Sequence, residues 1–176
     1  KYCYLGLMVM QNNKEAFIKL VEDHKLIIYK ICNSYCKNHY DRADIAQEIT
    51  YQLWKSYNHF NHSVKFSTWM YRVALNVAIT FYRKTKTGEA IIKLSEPDTE
   101  IEDKKEDTAE LEKNIDTLQQ FISELKELDK ALMILYLEEK TYNEIAEILG
   151  ITETNVATRI SRIKDKLKQK FSTIHN

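Results

Sequence analysis

Glycine and proline are almost missing from this chain, with 3 and 1 among 176 residues. A β-rich fold depends on such residues at its tight turns, so their scarcity argues against sheets. Abundant Leu, Ile, Lys, Glu and Ala favour helices instead. Cysteine is scarce too, and an odd count of 3 gives no disulfide framework and suits a reducing cytoplasm. Long apolar runs are also wanting: no stretch approaches the roughly 18 residues that cross a bilayer. The apolar start, Lys1 to Met10, is short, lacks a cleavage site and runs into Gln11-Asn12-Asn13-Lys14. It is not read as a signal peptide, and Met8 and Met10 are candidate starts of the native chain.

Net charge is absent as well, but by cancellation. From Met10 to Lys86 there are 12 Lys/Arg against 6 Asp/Glu, and from Glu153 to Phe171 there are 6 against 2. Between these basic segments, Thr87 to Glu112 carries 3 against 10. That stretch holds Gly88 and Pro97 and shows little helical periodicity, so it reads as an acidic, flexible linker. The predicted architecture is all-α. Two small helical domains, 10–86 and 111–176, are joined by a linker over 87–110.

In the first unit, Phe17, Leu20, Val21, Ile27, Ile28, Ile31 and Tyr35 recur at helical spacing, predicting a helix pair or one bent helix from Lys14 to Lys37. A second helix is expected from Tyr40-Asp41 to about Tyr57, capped by Asp41, with Ile45, Ile49, Leu53 and Trp54 on its buried face. A third should start at Phe66 or Ser67, capped by Ser67 or Ser63. Its core face would hold Trp69, Met70, Val73, Val77 and Phe81, and it would run into the basic Arg83-Lys84-Thr85-Lys86. Cys32, Cys36 and His39 invite a metal reading. A structural zinc site wants four ligands, however, and burial in the core is the better account of the cysteines.

The second unit begins with an amphipathic stretch from Leu111 to Leu125 and a helix that Asp129 can cap. The most informative passage runs from Thr141 to Ile163. Thr141 and Glu144 have capping-box spacing, and Ile145, Ala146 and Leu149 face inward. Gly150 permits a left-handed turn, Ile151 plugs it, and Thr152 caps the next helix. Val156, Ile160 and Ile163 continue the buried side. This is a helix-turn-helix pattern. The second helix presents Thr154, Asn155, Thr158, Arg159 and Arg162 to solvent, then Lys164, Lys166, Lys168 and Lys170. Polar residues near its N-terminal end suit base edges, and the basic ones suit phosphates. An ordinary helical hairpin with a basic face is the plainer alternative.

The first unit carries a more specific pattern: Asp41-Arg42-Ala43-Asp44 and Gln47-Glu48, then Leu53-Trp54, Phe60, and Phe66 through Asn76, with Tyr82-Arg83-Lys84 following. It resembles the core of bacterial RNA polymerase sigma factors, and the missing intervening domain marks the small extracytoplasmic-function type. The resemblance implies docking on the polymerase β′ clamp helices through Asp44, Gln47 and Glu48. It implies reading of the promoter −10 element by Phe60, Trp69 and Asn76, which line a base pocket, with Arg72, Arg83 and Lys84 on strand phosphates. The helix-turn-helix would read the −35 element and rest on the β flap. Ala157 stands where related sequences often carry a basic residue, and Arg42-Ala43 replaces a small-acidic pair.

By the same resemblance an anti-sigma factor, often membrane-attached, is an expected partner of a cytoplasmic protein. No cofactor, metal, small-molecule substrate or catalytic role is expected. No phosphate-cradling Gly loop or Ser/His/Asp set occurs. A stand-alone helix-turn-helix regulator with a sensing or dimerising bundle is the competing reading, and a helical adaptor a third. The regulator gives no reason for the Trp69–Asn76 constellation or the acidic docking face, and the adaptor leaves both basic segments unexplained.

Overall fold

The computed structural model describes residues 14–36, 38–89 and 109–174. Regular structure among them is entirely helical: α1 (14–23), α2 (Lys25–Tyr35), α3 (His39–Tyr57), α4 (Phe66–Glu89), α5 (Ala109–Glu124), α6 (Glu127–Leu137), α7 (Tyr142–Leu149) and α8 (Glu153–Ile174). The chain forms two compact units that divide after Ala78. Residues 1–13 and 90–108, the latter most of the expected acidic linker, lie outside the described residues.

In the first unit the predicted helix pair is two helices broken at His24, whose Nδ1 lies 2.9 Å from the Leu20 carbonyl oxygen. Asp41 is not the cap of α3. Asn38 is, its Oδ1 accepting from the Asp41 N–H at 2.7 Å while its Nδ2 donates to the Asp41 carboxylate at 2.8 Å. The pair satisfies an orphan helix donor and places Asp41 in the first turn, where the helix dipole favours a carboxylate. Arg42 Nε donates to the Cys36 carbonyl at 3.2 Å, tying α3 to the end of α2.

Ile45, Ile49 and Leu53 of α3 are fully buried, but Trp54 is not: it is 43% exposed, its ring edge-on to Phe17 at 5.0 Å. On α4 the buried line is Met70, Tyr71, Ala74, Leu75 and Ala78, with Val73, Val77 and Phe81 only half-buried. The structure thus buries small Ala74 and Ala78 where the sequence pattern puts Val73 and Val77.

Buried Cys32 and Cys36 belong to the same core. Burial, and then the neighbouring Cys36, pushes the Cys32 thiol up to about 11. His39 is exposed at the start of α3, its ring 6.3 Å from that of Tyr40. A raised folded-state value stabilises the protein fully below the ordinary thiol value of 9.0, and that contribution is lost as pH climbs toward 11. Cys32 should therefore escape alkylation in native protein at pH 8 and react after denaturation, as peptide mass mapping would show.

The second unit is built on Ala131, Leu132 and Leu135 of α6, Ile145 and Ile148 of α7, and Val156, Ile160 and Ile163 of α8, all buried. Phe121 of α5 packs with Met133 and Ile163, flanked by Ile122, Leu125, Tyr136 and Leu167. Ile148 takes the deep position expected of Leu149, which is half-buried.

Candidate nucleic-acid interface

The turn between α7 and α8 follows from its residues. Thr141 Oγ1 accepts from the Glu144 N–H at 3.2 Å, and the Glu144 carboxylate accepts from the Thr141 N–H at 2.9 Å, a complete capping box. Gly150 ends α7 in left-handed backbone (φ 67°, ψ 35°), and the Ile151 N–H donates to the Ala146 carbonyl. Space around Gly150 is open, so a Cβ there meets nothing within 4 Å. Gly150→Ala should consequently cost only the left-handed penalty, about 1–2 kcal/mol, read as a lower denaturation midpoint with an unchanged m-value. Thr152 Oγ1 accepts from the Asn155 N–H at 3.2 Å, opening α8.

On α8, Thr154, Asn155, Thr158 and Arg162 are exposed within the first three turns. Thr158 Oγ1 donates back to the Thr154 carbonyl at 2.8 Å. Arg159 is held differently: Nε donates to Asn155 Oδ1 at 3.0 Å and Nη1 to Asp129 Oδ1 at 2.6 Å. Asp129 thus does not cap α6. Lys126 occupies the cap position without a side-chain bond, and Asp129, in the first turn, gives its carboxylate to Arg159.

Of the four lysines that follow, two are engaged within their own unit. Lys164 donates to the Tyr136 hydroxyl, which holds its ammonium above the usual lysine value, and Lys170 pairs with Glu124 at 2.7 Å. That hydrogen bond from Lys170 lowers the Glu124 carboxyl below its usual range. Lys166 and Lys168 are exposed.

In the first unit an aromatic cluster forms where α4 begins. The Phe60 ring lies 5.0 Å from that of Trp69, 5.7 Å from Phe66 and 4.5 Å from His62. Phe60 is buried and Trp69 half-buried, so the cluster presents the indole and holds it from behind. The loop ahead of it is shaped by Asn61, whose Oδ1 accepts from the Ser63 N–H at 3.1 Å, and by His62 at φ 58°. Asn76 is exposed. At 100° per residue, Trp69, Arg72, Asn76 and Arg83 fall on one stripe of α4, and exposed Lys84 adjoins it.

Asp44, Gln47 and Glu48 are exposed on α3, on the side away from Ile45, Ile49 and Leu53. Glu48 Oε1 accepts from Gln52 Nε2 at 2.8 Å. Two neighbours on this face escaped sequence reasoning: Tyr51, 55% exposed, and Trp54. With Lys14, Phe17, Ile18 and Gln47 they line an open apolar groove of about 570 Å³. The signal lies in the spacing, since positions 44, 47, 48, 51 and 54 share one helical face, opposite the buried face on which the sequence reading places Trp54.

Residues 20–87 match the family model of sigma-70 region 2, and residues 115–167 that of sigma-70 region 4. The ECF RNA polymerase sigma factor SigW of Bacillus subtilis is 30% identical over 174 residues, covering 93% of this chain and 92% of its own. The RNA polymerase sigma factor SigV of the same species is 31% identical, over 86% of this chain and 89% of its own.

Among solved structures, CnrH in complex with the cytosolic domain of CnrY has a similar fold, with a TM-score of 0.66 at 20% identity, over 97% of this chain and 96% of that one. So does the sigma factor RpoE in complex with the anti-sigma factor NepR from Bartonella quintana, at 0.65 and 14%, over 92% and 98%. The chain belongs to the RNA polymerase sigma factors, promoter-recognising transcription initiation factors, and within them to the ECF group. Among the described residues, no helix is long and apolar enough to cross a membrane.

Proposed function

We propose that the stripe of α4 bearing Trp69 and Asn76 captures a base extruded from the promoter −10 element. The carrying observation is the aromatic cluster, which braces a half-exposed indole on the same helix face as an exposed amide and arginines. Extruding a base costs a few kcal/mol, and stacking on an aromatic returns about 1–3 kcal/mol. Phe60 backs the indole, Asn76 bonds the base edge, and Arg72, Arg83 and Lys84 neutralise strand phosphates. Residues 10–86 act as this unit, 87–110 as a tether, and 111–176 as the −35 reader and β-flap contact, through Thr154, Asn155, Thr158 and Arg162.

Asp44, Gln47 and Glu48 meet basic groups on the β′ clamp helices, and Tyr51 and Trp54 add apolar area beside them. The chain supplies binding and strand capture, and the polymerase supplies the chemistry. Two of its structural neighbours are complexes, one with an anti-sigma factor by its own description, and an anti-sigma partner is proposed here too. Such a partner would hold the protein in the cytoplasm or at the inner face of the membrane.

The test is binding of core polymerase, with and without this protein, to fork-junction DNA carrying a single-stranded −10 element. Retention that depends on the protein and falls on Asn76→Ala supports the reading. Retention indifferent to both removes it.

A further inference from the structure

We propose that Asp129 and Arg159 form a relay that fixes the Asn155 amide with its NH2 group as the reading end. The −35 element is then read at that position through an acceptor-bearing base edge. This rests on the reading of α8 as the recognition helix.

The geometry leaves little choice of orientation. A guanidinium carries donors only, so the Asn155 atom 3.0 Å from Arg159 Nε is the carbonyl Oδ1. A four-residue spacing within α8 would by itself leave Arg159 able to swing aside. The second bond, 2.6 Å from Nη1 to Asp129 Oδ1, anchors the guanidinium to α6 across 30 residues of sequence. The Arg159 and Asp129 side chains are 37% and 21% exposed, so this pair is better shielded from solvent than an open surface pair. Asn155, one turn before Arg159, stays exposed.

The consequence is chemical. Asparagine reads adenine by accepting from N6–H through Oδ1 and donating to N7 through Nδ2. Here one lone pair of Oδ1 accepts from Arg159 and turns the oxygen toward the guanidinium, while Nδ2 keeps two donors. Guanine, with N7 and O6, and thymine, with O4, offer the acceptors such a group needs, whereas adenine sets beside its N7 an N6–H donor that finds no acceptor in the NH2 group. Arg159, counted by sequence among the base readers, is instead a positioning residue, and Asp129 holds it.

The test uses the holoenzyme, reconstituted from this protein and bacterial core polymerase, on a promoter library randomised over the upstream element. Asn155→Ala identifies the base pair that Asn155 reads. In the unsubstituted protein that base should be guanine or thymine, favoured over adenine by about tenfold, or 1.4 kcal/mol. Asp129→Ala and Arg159→Ala should each shrink that preference to about twofold at this pair while leaving the others unchanged. Adding Asp129→Ala to Asn155→Ala should change nothing further, as coupled residues require.

Adenine at the pair would overturn the relay, as would an Asp129→Ala profile that is unchanged or weakened evenly at all positions. Thermal unfolding of each variant separates such even weakening from loss of fold. If the unsubstituted holoenzyme yields no upstream preference at all, the recognition-helix reading fails first, and the relay with it.

Discussion

Asn76→Ala and Trp69→Ala should each cut the yield of open promoter complexes by roughly 5- to 150-fold, the equivalent of losing about 1–3 kcal/mol of base capture. The loss should persist as weaker binding to a template already unpaired across the −10 element, because the base still forfeits its stacking and edge contacts there. The two variants differ in a useful way. Trp69 packs against Phe60 and Phe66 at 5.0 and 5.3 Å, so its removal also loosens the aromatic cluster and should lower the unfolding temperature. Asn76 is exposed, and its loss should leave that temperature nearly unchanged. Unchanged binding to the pre-melted template would place both residues outside strand capture.

Reversing charge on the α3 face should be comparably damaging. Asp44→Lys combined with Glu48→Lys is expected to weaken binding to core polymerase by on the order of 100-fold, since like charges brought together at an interface cost several kcal/mol. Neutralisation to Asn and Gln should cost far less and show a reduced salt dependence, because exposed pairs contribute about 1 kcal/mol or less. The fold should tolerate both changes. Both side chains are exposed, and the Glu48 bond to Gln52 stays within its own helix. Trp54→Ala, which removes an aromatic beside the apolar groove, should weaken the same complex without altering its salt dependence. Titration of labelled core polymerase at several ionic strengths separates the three cases.

Much of this was legible in the chain, for reasons that can be located. The α7–α8 turn was readable because its determinants are local: Thr141 with Glu144, Gly150 at a left-handed position, and Thr152 before α8 each act within a few residues. Helix ends set by less familiar partners were misread. Asn38 caps α3 through a reciprocal bond with Asp41, and an Asp looks like a cap wherever it precedes an apolar run. The same habit gave Asp129 a capping role, although its partner lies 30 residues away on α8, a distance no local pattern spans.

Trp54 shows the limit of such reading: a large apolar residue expected on the buried face of α3 is 43% exposed. Helical phase, and not the character of adjacent residues, decides such positions, and it likewise leaves Asn76 exposed between Leu75 and Val77.

The central claim is tested most directly by transcription from a promoter library with bacterial core polymerase and this protein, sequencing the transcripts and their start sites. The account predicts defined starts downstream of two shared elements at fixed spacing, absent with core polymerase alone and lost on Asn76→Ala. Sequence-specific duplex binding by the protein alone, with no polymerase-dependent starts, would contradict it.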